Sequence, residues 1–320
     1  EAARCSFRIA PGAEVTLEAN PGDLSGEHLR SLHEMGVSRL SMGVQSFDDS
    51  LLELLGRRHS SQEAVEAYHK ARGVGFPNVS IDLMYGIPYQ SMEDWRSTLE
   101  RAIALSPEHL SLYCLTLEEG TPMEQQVSRG DVPQPDPDLA ADMYLAAEEM
   151  LERAGYRHYE ISNWARAGRE SRHNLTYWLN RPYLGVGAGA HSYLGKWRFH
   201  NVMSPQDYIR RLGTPTLPLA PDSAVSREAL ARMPAVEEVE TIDRRLEMAE
   251  TMMLGLRLEH GVGLEGFAAR FGEGLSSVYG EQVRELTDLG LVEMAGGALR
   301  LTPRGRLLGN EVFVRFFGTK

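Results

Sequence analysis

The chain has 320 residues, with 33 Lys plus Arg against 45 Asp plus Glu, a formal charge of −12, and two cysteines, Cys5 and Cys114. Two widely separated cysteines exclude a disulfide framework, a four-cysteine zinc site and an iron–sulfur cluster held by one compact motif. No run approaches the ~18 consecutive apolar residues of a membrane span, and the acidic balance argues against a nonspecific nucleic-acid binder. The length suits one large domain or two smaller ones. The chain opens on Glu1 without a signal pattern and soon enters a strand, which reads either as a processed or trimmed N-terminus or as the loss of an upstream piece of the domain. Low cysteine content fits the reducing cytoplasm.

In chain order, residues 15–19 read as a strand and 25–35 as a helix stopped by Gly36. Residues 38–44 are strand-like, and 48–55 and 62–71 are helical. The next strand is 79–84, and a helix follows over 91–105 with Glu93 and Asp94 in its first turn. Residues 110–117 form a fourth strand. Pro122, Pro133, Pro135 and Pro137 mark 121–137 as a loop. The helix over 138–154 carries Leu139, Met143, Ala147, Met150 and Leu151 on one side and stops at Gly155. Residues 156–161 are a fifth strand.

This alternation predicts a parallel sheet with crossover helices, either doubly wound or a (β/α) barrel. Glu18, Gln45 and Asp82 sit in the C-terminal parts of successive strands or just beyond them, the face that carries chemistry in barrels. Five units are too few for a closed eightfold barrel, so the expectation over 1–165 is a partial α/β barrel lacking its N-terminal units.

From 166 to 195 the periodicity fails while aromatics, His and Gly accumulate, and 212–221 reads as a Pro-rich linker. Residues 166–240 are therefore a connecting region. Beyond it, 241–320 reads as a winged-helix-like module, with helices over 242–258 and 283–289 and a hairpin over 291–301 turned at Gly296-Gly297. It lacks a basic recognition helix, which argues against DNA binding.

Three segments carry chemistry. In LEANP, Glu18 ends a strand, where a carboxylate accepts hydroxyl hydrogen bonds or faces a cation. In SMGVQS, Gln45 offers both donor and acceptor, and Arg57 beyond it can fork onto a carboxylate. Taken singly, these positions read as a capping or salt-bridging acid, a buried strand-end amide and a solvated helix end. In IDLMYGIP, Asp82 is flanked by apolar residues in a buried strand, so it is either partnered by a neighbour or functional.

Together with LSMGVQSF, LGRRHS, LSLYCLTLEEGTP and YEISNWA, these strings resemble the radical S-adenosylmethionine family. More narrowly, they resemble the branch of oxygen-independent coproporphyrinogen III oxidase and the haem chaperone HemW, with a HemN-type terminal module. The string His173-Asn174-Leu175-Thr176-Tyr177-Trp178 has the HNxxYW form of the HemW haem motif. A neutral His can ligate haem iron, and Tyr and Trp offer flat apolar surface to a porphyrin. Arg172, Arg181 and Arg198 are near in sequence and suited to propionates. Without the resemblance, the same residues read as a packed turn. The glycine run 185–189 reads as close backbone packing, with His191 as either a further haem contact or a packing residue.

The resemblance implies S-adenosylmethionine contacts at Glu18, Gln45, Arg57, Asp82 and, less directly aligned, Thr116. It implies haem contacts at His173, Asn174, Tyr177 and Trp178, with His173 as the candidate iron ligand. The family's [4Fe–4S] cluster sits on a CxxxCxxC motif that this chain lacks, so no cluster binding and no radical chemistry are expected of it as written. The function implied is a haem chaperone whose partners are haem and a haem-acceptor protein, including membrane-bound acceptors met peripherally. The alternatives are the oxidase, which decarboxylates coproporphyrinogen III propionates and needs the cluster, and a non-enzymatic binding module.

Overall fold

The computed structural model describes residues 5–213 and 225–318 and divides into two compact units, 1–172 and 173–320. Most of the expected linker lies outside the described residues.

The first unit is a six-stranded sheet in the order β1 (Thr16–Ala19), β2 (Arg39–Gln45), β3 (Val79–Tyr85), β4 (His109–Cys114), β6 (Asn163–Ala165), β5 (Arg157–Glu160). β1 to β4 are parallel neighbours, as the alternation predicts. The fifth expected strand, 156–161, is β5, but it does not pair with β4. The short β6 turns back between them, antiparallel to both. The sheet is open rather than a closed barrel.

Local chemistry sets the crossover helices. Ser60 and Glu63 form a capping box at the start of Ser61–Val74, and Ser91 and Asp94 do the same for Met92–Leu105. Gly75 ends the first of these in the left-handed conformation. The expected loop 121–137 contains a helix, Pro122–Ser128, because Thr121 accepts the Glu124 N–H and Pro122 is pre-set for the first turn.

The two faces of this sheet differ in kind. Leu40, Met42 and Val44 of β2, Val79, Ile81 and Leu83 of β3, and Leu110 and Leu112 of β4 are buried with Trp95, Leu99, Met143, Ala147 and Leu151 of the covering helices. Each such side chain contributes roughly 1.5–3 kcal/mol by leaving water. The alternate residues are polar. Register pairs Glu18 with Ser41, Ser41 with Ser80 and Ser80 with His109, and one step along it pairs Asp82 with Ser111. Paired residues of parallel strands share a face, so these groups form polar rows opposite the helices. A parallel sheet buried on both sides would be apolar throughout.

In the second unit, β7 (His191–Leu194), β8 (Trp197–Asn201) and β9 (Val236–Thr241) form an antiparallel sheet. Helices Arg244–Gly255, Leu264–Phe271 and Leu275–Asp288 precede the hairpin β11 (Val292–Ala295) and β12 (Ala298–Leu301), to which β10 (Val262–Gly263) adds an edge. Gly296 and Gly297 both have positive φ, the conformation this hairpin turn requires. Among the described residues, no helix is long and apolar enough to cross a membrane.

Candidate functional site

At the C-terminal ends of β1 and β2, the structure brings Gln45 and Arg57 together. The Arg57 guanidinium donates to Asn20 Oδ1 at 2.7 Å and to the Gly43 carbonyl at 2.9 Å. A Cβ at Gly43 would lie 3.0 Å from both Arg57 Nη2 and Gln45 Nε2, so any side chain there would push these two groups from their present places. Gln45 has φ 67 and follows a register shift in β2, which re-aims its side chain at the strand end. Burial and the neighbouring Arg58 both lower the Arg57 pKa from its ordinary value, as for a cation without a counter-ion. Among the described residues, Arg57 makes no ion pair.

His59 holds this loop in place. It is 5 % exposed, and its Nε2 lies 3.1 Å from the Val44 carbonyl. A carbonyl only accepts, so Nε2 carries the proton. Burial lowers its pKa and keeps the ring neutral. Sequence reasoning missed His59, although it stands two places beyond Arg57 in LGRRHS.

Glu18 is exposed on the polar face of the sheet, in register with Ser41. Asp82 is partnered: Ser41 Oγ donates to it at 3.0 Å and Ser80 Oγ at 3.2 Å. Burial raises its pKa above the usual carboxylate value, while Ser111, Ser41, Arg39 and Ser80 pull it down. Thr116 lies two residues beyond the end of β4, exposed, and no hydrogen bond among the described residues ties it to the other four.

An anionic or zwitterionic ligand with ribose hydroxyls fits this donor set. Arg57 suits a carboxylate, and Gln45, Glu18 and Asp82 supply acceptors and an amide. A three-thiolate cluster does not fit. The chain has two cysteines, and both are exposed free thiols, with Cys114 beside Gly86.

In the second unit, helix Arg172–Trp178 carries the HNxxYW string. His173 is exposed, and its ring stands edge-on to Tyr177 at 4.9 Å. Tyr177 in turn meets Tyr183 at 4.6 Å. Trp178 is half-buried beneath the Arg257 guanidinium, 4.4 Å from the ring centroid. Trp178 Nε1 and Arg257 Nε are both buried without a hydrogen-bond partner. An exposed imidazole beside half-buried flat rings fits a porphyrin face and its iron. Arg257 lies far along the sequence and carried no motif, so sequence reasoning missed it.

The other nearby residues divide. Asn174 is half-buried on the same helix and Arg181 is exposed. Arg172 donates to the Gly12 carbonyl at 3.0 Å in the first unit. Arg198 is bound by both carboxylate oxygens of Glu250, one at 2.9 Å, so it is not free for a propionate. His191 meets the ring of its cross-strand partner His200 at 5.1 Å in a tilted arrangement, and no ring contact among the described residues joins it to Tyr177. A Cβ on Gly185 would lie 2.1 Å from the His191 carbonyl oxygen, so Gly185 is a close backbone approach, whereas a Cβ on Gly187 would meet nothing within 4 Å and one on Gly189 only the Met203 side chain.

The sheet with its polar strand-end cluster is that of a radical S-adenosylmethionine protein. The Radical SAM superfamily signature matches residues 1–102, and the HemN C-terminal domain signature matches 242–308. The solved structure of coproporphyrinogen III oxidase (HemN) from Escherichia coli superposes with a TM-score of 0.78, covering 98% of this chain and 71% of that one. At 22% identity, this likeness speaks for the fold alone.

Among curated proteins, the chain is 39% identical over 306 residues to Heme chaperone HemW of Bacillus subtilis, covering 96% of this chain and 76% of that protein. It is 37% identical over 303 residues to Heme chaperone HemW of Lactococcus lactis, covering 95% and 75%. The mitochondrial radical S-adenosyl methionine domain-containing protein 1 of Mus musculus is 48% identical over 191 residues, covering 60% and 43%. The chain belongs to the HemW family.

Proposed function

We propose that this chain is a haem chaperone of the HemW type, which binds haem on the helix Arg172–Trp178 and passes it to an acceptor protein. The observation that carries this reading is the exposed His173 imidazole next to the Tyr177 ring on that helix. His173 ligates the iron, Tyr177 and Trp178 give the porphyrin an apolar face, and Asn174 and His191 are further contacts. Exposure suits cargo that must leave again, and the two exposed free thiols fit a reducing compartment such as the cytoplasm.

On the first unit, Glu18, Gln45, Arg57 and Asp82 hold S-adenosylmethionine. Arg57 takes its carboxylate, because this guanidinium has no counter-ion among the described residues and is partly withdrawn from water. Thr116 is the outermost member of this set. The residues present supply no cluster site, so no radical step is assigned to them. The oxidase alternative has only the fold likeness in its favour.

Haem titration into the purified protein, followed by its visible absorption, tests the reading beside His173→Ala. The expected result is stoichiometric binding by the parent and a changed Soret band or a loss of affinity in the variant. Identical spectra and affinity would remove His173 as ligand. No binding by the parent would remove the chaperone reading.

A further inference from the structure

The polar face of the first sheet carries a connected line of groups that ends on Asp82. Tyr159 Oη accepts the Ser171 N–H at 3.3 Å and lies 2.8 Å from His109 Nε2. The other ring nitrogen, Nδ1, lies 2.8 Å from Ser80 Oγ. Ser80 Oγ lies 3.2 Å from Asp82 Oδ1, and Ser41 Oγ lies 3.0 Å from Oδ2. His109 and Ser80 are fully buried.

A serine hydroxyl has one proton to give. If it goes to Asp82, His109 Nδ1 must be a donor, and Nε2 must then accept from Tyr159. If Nε2 held the proton instead, Ser80 would donate to Nδ1, and Asp82 would need to be protonated to keep the 3.2 Å contact favourable. The tautomer of His109 and the charge of Asp82 are therefore linked.

Burial of Asp82 favours its protonated form, and Ser111, Ser41, Arg39 and Ser80 oppose that; Arg39 acts on both ends of the line. It is 4 % exposed, its Nε has no hydrogen-bond partner, and its charge acts on both Asp82 and His109. A buried guanidinium favours a carboxylate nearby and disfavours an imidazolium. The remaining groups facing Asp82 are Ser111 and Tyr113 of β4.

We infer that His109 is a positioning residue for Asp82: as the neutral Nδ1–H tautomer it donates to Ser80 Oγ, which turns the Ser80 proton onto the carboxylate and holds Asp82 as a fixed acceptor. This rests on the reading of Asp82 as an S-adenosylmethionine contact. His109 itself touches no ligand.

Two measurements on the full chain test it. Nitrogen-15 NMR of the histidine rings at neutral pH is expected to show His109 protonated at Nδ1 and bare at Nε2. An Nε2–H tautomer overturns the inference. Equilibrium dialysis with S-adenosylmethionine then compares the parent with His109→Asn, His109→Leu, Ser80→Ala and Asp82→Asn. Asn places an amide donor near the Nδ1 position and is expected to stay within about twofold of the parent, while Leu and Ser80→Ala each weaken binding about tenfold, the scale of one hydrogen bond to a charged group.

The double variant His109→Leu with Ser80→Ala is expected to be no worse than either single one, since both break the same line. Parent-like affinity in both His109→Leu and Ser80→Ala, beside a clear loss in Asp82→Asn, overturns the positioning role. Parent-like affinity in Asp82→Asn, or no binding by the parent, overturns the cofactor reading instead, and the ring NMR still decides the tautomer. Should His109→Leu fail to fold, the ring NMR and the affinity of Ser80→Ala decide between the two outcomes.

Discussion

The two candidate regions are built in opposite ways. In the first unit, the ligand residues stand on or just beyond strands, and each is held by others: Arg57 by Asn20 and Gly43, Asp82 by Ser41 and Ser80. In the second unit, His173 and Tyr177 sit on a seven-residue helix, exposed or half-exposed, in ring contacts worth little individually. The first arrangement orders its groups before any ligand arrives, as a site for a retained small molecule should. The second presents an exposed imidazole beside half-buried rings, which on the proposed reading suits a cargo taken up and handed on. On the proposed reading, the difference is that between holding a ligand and passing one on.

The largest expected effect tests whether the polar rows depend on the apolar face behind them. Trp95 is fully buried, and its indole N–H donates to the Met143 carbonyl at 2.8 Å. Trp95→Ala should cost about 3–5 kcal/mol, read as a lower denaturant midpoint together with lost S-adenosylmethionine binding. Binding that survives unchanged would detach the site from its core.

Gly185→Ala asks the matching question of the second unit. Its methyl would meet the His191 carbonyl at 2.1 Å, so the backbone must move, at a cost of about 1–3 kcal/mol. Thermal melting with haem titration checks whether His191 and the HNxxYW helix respond together or separately.

Arg57→Gln sharpens the comparison by touching one ligand only. S-adenosylmethionine affinity should fall about tenfold or more, by roughly 1.5–3 kcal/mol for a charged hydrogen bond, while haem affinity stays as in the parent. Isothermal titration with each ligand distinguishes the two.

The smallest effect is a pH dependence confined to the first unit. Burial, and then Arg39, hold the His109 pKa well below the ordinary histidine value. The unfolded chain takes up a proton near pH ~6.5, whereas the folded chain does not. His109 therefore contributes stability that is full above that pH and lost as the pH falls toward its folded value. The slope is at most about 1.4 kcal/mol per pH unit for one proton, and His59, lowered by its own burial, adds the same sign. Urea melts at pH 7.5 and 5.5 check it, and His109→Asn should flatten the difference.

Much of this was legible in the amino-acid order. Strand and helix periods depend on neighbours a few residues apart, and the strings around Glu18, Gln45, Arg57, Asp82 and His173 stand in the chain as written. The Gly296-Gly297 turn follows from the same short-range physics. The helix Pro122–Ser128 was missed because prolines suggested a loop, although Thr121 and Pro122 are good starting residues for a helix.

What the sequence determined alone is therefore most elements of the first unit, the terminal hairpin and the candidate residues, each fixed by local spacing and side-chain type. Tertiary structure decided which of them meet. Strand register, set by packing of the apolar face, put Ser41, Ser80 and His109 in one row and Asp82 beside Ser111. It brought Arg39 into the same buried polar surroundings, and in the second unit it laid Arg257 over Trp178 while pairing Arg198 with Glu250. Such pairings join residues far apart in sequence, and no local period encodes them, because they follow from how whole elements bury their apolar sides.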